Sequence, residues 1–179
     1  AKYLFFTTRN GIVKRTSTSQ FSNIRTNGLK ALKLRDGDEL INVLRTSGED
    51  EVIIGTHLGY SVRFTGAVVR DMGRAAAGVK GVNLREGDYV VGTSRIDDSQ
   101  EVLVISENGL GKRTQASEYP TKGRGGKGMK VMNVTERTGK LAGLTAVNGD
   151  EDLMVITDTG VIIRTNVANI SQTGRSTQG

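Results

Sequence analysis

The residues with chemical reach in this chain are cations, and they keep register. Arg15, Arg63, Arg113 and Arg164 each stand four residues after a glycine that sits in a polar turn. Lys30, Lys80 and Lys130 stand two residues after a second recurring glycine, and Arg74, Arg124 and Arg175 four residues before it. In the first copy Ile24 takes that last place, with Arg25 beside it. Lys14 and Lys112 precede two of the first set, and Lys122 and Lys127 flank Arg124. Cations at a fixed spacing suit a periodic line of phosphates, bound by charge neutralisation and counterion release with little reading of bases. These fifteen side chains are the candidate polyanion contacts. The plainer alternative for any one of them is a strand cation that shields an exposed edge.

The elements that position them come in a repeat of about fifty residues. An apolar run, a Gly turn and a basic run recur at 4–16, 52–65, 102–114 and 153–165. A second Gly follows at Gly28, Gly78, Gly128 and Gly179, and the first three of these open alternating stretches at 29–34, 79–84 and 129–134. Acidic turns, Asp36-Gly37-Asp38 and Glu86-Gly87-Asp88, then lead to a last strand at 40–46 and 89–96, and Glu136-Arg137-Thr138-Gly139 leads to one at 140–147. Two runs joined by a Gly turn predict a hairpin, and four short strands per repeat without a helical period predict a propeller-like blade. The fold class expected is all-β, a pinwheel of four-stranded repeats at about 1–50, 51–99 and 100–150, with a partial one at 151–179. The runs at 52–54 and 102–105 are expected to be central strands buried on both faces.

Composition narrows the function. Lys and Arg outnumber Asp and Glu 25 to 19, giving a net charge of +6, which favours polyanionic partners. Seven cations and no acid lie between Arg9 and Arg35, five cations against Asp71 in 59–85, and six against Glu118 in 109–130. Acids gather just before each new repeat, at Glu49-Asp50-Glu51, Asp97-Asp98 with Glu101, and Asp150-Glu151-Asp152, so the basic stripe is expected to lie apart from them. The absence of cysteine removes thiolate chemistry and cysteine metal sites, and fits a reducing cytoplasm. Aromatics at 4% with no Trp argue against stacking platforms for single strands. The first residues read as a strand instead of a signal peptide.

Other motifs weigh less. Gly123, Gly125 and Gly128 have nucleotide-loop spacing, but Met129 stands where a P-loop needs Lys and a strand pattern follows instead of a helix. His57, the single histidine, has no Cys or second His to share a metal and reads as a solvated turn residue. Tyr3, Tyr60, Tyr89 and Tyr119 lack the Arg and carboxylate neighbours of a DNA-cleaving nucleophile and read as packing residues. The acid pairs read as solvated turns. No catalytic residue, metal or cofactor is expected.

In order and spacing, the stretches 8–16, 37–41, 47–52, 109–114, 118–122 and 174–179 resemble the C-terminal domain family of gyrase A subunits, the β-pinwheel of type IIA DNA topoisomerases. The resemblance covers essentially the whole chain. It implies a disc whose blades exchange a strand, with duplex DNA wrapped on a basic perimeter. It further implies that this module supports ATP-dependent negative supercoiling by a whole enzyme in the bacterial cytoplasm, at the nucleoid. Its partners would be double-stranded DNA, the remainder of the gyrase A subunit, with the gyrase B subunit reached through it. The family's Gln-Arg-Arg-Gly-Gly-Lys-Gly box has no full counterpart; Lys122-Gly123-Arg124-Gly125-Gly126-Lys127-Gly128 is box-like but lies in the third repeat. Two alternatives remain: the paralogous topoisomerase IV A subunit, or a basic propeller that docks an acidic protein.

Overall fold

A computed structural model describes residues 2–21, 31–149, 151–156, 162–170 and 172–175. Each unit begins with a hairpin: β1 (Tyr3–Thr8) with β2 (Ile12–Ser17), β4 (Glu51–Thr56) with β5 (Tyr60–Thr65), β8 (Glu101–Ser106) with β9 (Gly111–Gln115), and β12 (Asp152–Ile156) with β13 (Ile162–Asn166). The first three hairpins turn at Gly11, Gly59 and Gly109, with φ of +83°, +93° and +83°, values that a side chain resists. A hydroxyl four residues back braces each turn: Ile12, Tyr60 and Leu110 amides donate to Thr8, Thr56 and Ser106 oxygens at 3.1, 3.3 and 3.1 Å.

On the other side of the first strand of a unit lies its last, β3 (Leu40–Thr46), β7 (Val90–Ile96) or β11 (Leu141–Val147). The sheet order is β3-β1-β2-β6 in the first unit and β7-β4-β5-β10 in the second, where β6 (Val79–Lys80) and β10 (Met129–Lys130) come from the following unit. Neighbouring units therefore exchange a strand. The expected six-residue strands at 79–84 and 129–134 shrink to these two-residue pieces, and 31–35 forms none; the rest of each stretch turns over the joint instead. Gly78 and Gly128 make the exchange possible. Both have positive φ, and a Cβ there would sit 2.4 Å from the Val13 carbonyl oxygen or 2.5 Å from that of Ser61.

Packing follows from strand parity. Successive side chains point to opposite faces, so Val52 and Ile54 pack with Phe5, Val13 and Phe64 toward the first unit, while Ile53 packs with Val102, Val104 and Leu141 toward the third. Leu103 faces the fourth unit with Val147 and Val167. Both faces of β4 and β8 are thus covered, and Val52, Ile53 and Ile54 are fully buried, as the apolar runs predict. Gly55 and Gly92 admit Leu144, whose atoms would lie 2.8 Å from a Cβ at either position. Among the described residues the sheets are stacked and open, and none closes on itself.

Candidate nucleic-acid interface

The structure divides the candidate cations into two classes. Those on the second strand of the first three hairpins point inward. Lys14 is fully buried, its Nζ within 2.6–3.2 Å of the carbonyl oxygens of Ala31, Gly73, Arg74 and Ala76. Lys112, one repeat-pair later, donates to Gly174 and Arg175 carbonyls at 2.8 Å each. Burial lowers the pKa of both ammonium groups. For Lys112 the value falls to about 8, with nearby Arg175 adding to the fall and Glu118 opposing it.

Three members of the arginine register, Arg15, Arg63 and Arg113, turn the same way, while Arg164 is exposed. Arg63, 4% exposed, pairs with Glu51 at 2.7 Å and Asp98 at 2.9 Å, and donates to the carbonyls of Ala116 and Tyr119 in the next unit. Arg113 pairs with Glu101 at 2.7 Å and reaches the Ile170 carbonyl. Arg15 lies over the Tyr3 ring at 4.1 Å and donates to the Gly48 carbonyl. Each of these arginines also accepts, through its own carbonyl, the amide of a later unit: Met72, Lys122 and Thr173, at 2.8–2.9 Å. Two expectations are corrected here. Lys14, Arg15, Arg63, Lys112 and Arg113 form no exposed track but joint fastenings, because backbone of the following unit closes over the second strand of each of these hairpins. The junction acids do not stand apart from the arginines either, since the twelve-residue offset across the hairpin brings Glu51 to Arg63 and Glu101 to Arg113.

The outer strands carry the second class. Lys80 and Lys130 are exposed on β6 and β10, and so are Lys122, Arg124 and Lys127 on the loop leading into β10. Across each joint a guanidinium from the following unit meets the lysine's backbone: Arg124 donates to the Lys80 carbonyl at 3.0 Å, and Arg175 to that of Lys130 at 2.9 Å. Lysine and arginine registers that lie far apart in sequence thereby become neighbouring pairs, Lys80 with Arg124 and Lys130 with Arg175. Arg74 is half-buried and Arg164 exposed. Arg25 and Lys30 lie outside the described residues.

The remaining motifs settle as packing. His57 is not a free turn residue; its ring stacks on Tyr89 at 4.3 Å, with the Arg9 guanidinium over Tyr89 at 3.8 Å. Tyr119 is buried, and burial raises its pKa well above the ordinary phenol value. Tyr60 lies under Arg85 at 3.5 Å. The acidic turns brace the hairpins, with Asp38 accepting from the Asn10 amide and Asp88 from that of Leu58, both at 2.9 Å.

The family described as DNA gyrase C-terminal domain, beta-propeller, matches residues 2–47, 50–97, 100–148 and 151–179. The chain belongs to the DNA gyrase C-terminal domain family. It is 75% identical over 178 residues to the DNA gyrase A subunit of Streptococcus pyogenes serotype M3, and 72% and 64% identical over 177 residues to those of Streptococcus pneumoniae serotype 4 and Halalkalibacterium halodurans. Each alignment covers 99% of this chain; the chain spans only 21–22% of those relatives. Among solved structures, a DNA topoisomerase IV C-terminal domain superposes with a TM-score of 0.92 at 28% identity, covering 99% of this chain and 56% of that one. A DNA gyrase A C-terminal domain superposes at 0.87 and 27% identity, covering 99% and 59%.

In this gyrase-family domain, two arginines that seat the joint loops stand outside the recurring sets picked out from the sequence. Arg35 donates to the Gly78 carbonyl at 3.1 Å and Arg85 to that of Lys127 at 2.7 Å. Their signal was present: both immediately precede an acid-Gly-Asp turn, fifty residues apart.

Proposed function

We propose that this chain binds and wraps duplex DNA on its outer rim, as the C-terminal module of a gyrase A subunit, without recognising base sequence. The observation that carries the reading is the pairing of cations across successive joints, Lys80 with Arg124 and Lys130 with Arg175, on strands that face solvent. Lys122, Lys127 and Arg164 extend the exposed set. By sequence, Lys30 and Arg74 hold the matching places one repeat earlier, and Arg25 stands beside the place of Arg74 in the first repeat. A curved row of cations stabilises a bent duplex because the additional phosphates it reaches along the bend offset the elastic cost.

In the whole protein, wrapping would present a crossing of one sign to a strand-passage core built with the remainder of the gyrase A subunit plus the gyrase B subunit, so that ATP-driven passage supercoils DNA negatively. Gyrase is preferred to topoisomerase IV on sequence, since the relatives at 64–75% identity are gyrase A subunits while both enzymes share the shape. Relaxation of plasmid by a topoisomerase in the presence of this chain tests the reading. A shift in linking number is expected, along with duplex affinity that falls with log salt by about 0.9 per phosphate contact. Unchanged topoisomers together with salt-indifferent affinity overturn it.

A further inference from the structure

The three joint loops are built from one plan but carry their lysine differently. The second unit's loop, Gly73-Arg74-Ala75-Ala76-Ala77-Gly78, is held from within by the Lys14 ammonium at three of its carbonyls. The start of the fourth unit's loop, Gly174 and Arg175, is held likewise by Lys112. At the equivalent strand position of the second unit stands Val62, which has no ammonium to donate and is buried in the apolar cluster with Phe64 and Val69. The third unit's loop, Gly123-Arg124-Gly125-Gly126-Lys127-Gly128, has its lysine on the outside: Lys127 is exposed, where the other two loops have Ala77 and Gln178.

Three further observations separate the third loop. Between Glu118 and Glu136 the chain has four cations, Lys122, Arg124, Lys127 and Lys130, and no acid. A Cβ added at Gly123 or Gly126 would meet nothing within 4 Å, so the backbone there borders open space that a phosphate oxygen can enter. The loop is seated against the second unit, by the Gly125 amide on the Gly81 carbonyl, the Gly126 carbonyl on the Asn83 amide and Arg85 on the Lys127 carbonyl, at 2.7–2.8 Å.

We propose that residues 122–130 form the adaptable duplex grip of this chain, and that Lys14 and Lys112 are positioning residues that hold the loop at 73–78 and the turn at 174–175 rigid from within. This rests on the DNA-wrapping reading above. An ammonium ringed by carbonyls fixes a loop before any ligand arrives, whereas a glycine-rich loop with its cations outside can close on a phosphate after contact.

Hydrogen exchange of the full chain, free and with a linear duplex of about a hundred base pairs at low salt, tests this without any substitution. Amides of 123–128 should exchange faster than those of 73–78 in the free chain and gain the most protection on DNA. Lys14→Met should raise exchange at 73–78 toward that of 123–128 while leaving the amides of β4 unchanged, a local effect that general destabilisation does not produce. Lys122→Gln with Lys127→Gln should lower affinity about tenfold at intermediate salt, make the log–log slope shallower by about 1.8, and abolish the protection at 123–128. Equal exchange of the two loops in the free chain overturns the proposal, as does equal protection of both by bound DNA. If the duplex does not bind at all, the wrapping reading fails and takes the grip with it.

Discussion

Lys112 and Lys130 are the same side chain eighteen positions apart, and they lead opposite lives. The first is buried with its ammonium against two carbonyls; the second projects from the outer strand of a neighbouring sheet, beside the guanidinium of Arg175. The same contrast separates Arg63, enclosed by two carboxylates and two carbonyls, from Arg124 on the rim. Strict recurrence in a repeat protein marks whatever each joint needs, and a joint between stacked sheets needs fasteners as much as a surface needs ligands. Charge in register is therefore a sound guide to equivalence and a poor one to exposure.

The contrast can be broken most forcefully at the fasteners. Arg63→Met removes the guanidinium from Glu51 and Asp98 and leaves the carbonyls of Ala116 and Tyr119 without this donor, and should lower unfolding free energy by about 3–5 kcal/mol. Chemical denaturation measures it; a loss under about 1 kcal/mol would place Arg63 among surface ion pairs. Gly128→Ala forces a Cβ against the Ser61 carbonyl at positive φ, and should cost about 2 kcal/mol or more while exposing the amides of β5 to exchange.

The Lys112 ammonium makes a subtler difference. Its pKa is lowered to about 8 in the folded chain from an ordinary 10.5. Between these values the unfolded chain binds more protons, so this group makes stability rise as pH rises from about 8 to 10.5, and contributes a constant penalty below that window. Lys112→Met should flatten that rise, seen as a smaller change in denaturation midpoint between pH 7 and pH 10 than the wild type shows. At the rim the expected effects on stability are smallest. Lys80→Gln and Lys130→Gln should each change unfolding free energy by no more than about 0.5 kcal/mol, yet make the salt dependence of duplex binding shallower by about 0.9. A rim substitution that destabilises the fold, or a fastener that alters only the salt slope, would erase the distinction.

Much of this was legible in order. The strands at 40–46, 52–54 and 102–105, the glycine turns and the acidic turns are local matters, set by β-branched runs, positive φ and short-range hydrogen bonds. The exposure of Lys80, Arg124 and Lys130 was legible too, though not the meeting of Arg124 with Lys80, or of Arg175 with Lys130, across a joint. The inward turn of Lys14, Arg15, Arg63, Lys112 and Arg113 was not. In a sheet with one face in water, adjacent residues such as Lys14 and Arg15 cannot both be inside, and alternation would send one of them out.

What the amino-acid order determines here is the module: its period, its strands, its turns and its excess of positive charge. Which of those charges meet solvent was decided by the stacking of one sheet between two others and by the strand that each unit lends to its predecessor. Stacking removes the open face that parity arguments assume, so a lysine is driven onto backbone carbonyls at Lys112 and left to water at Lys130, and only the assembled joints tell the two apart.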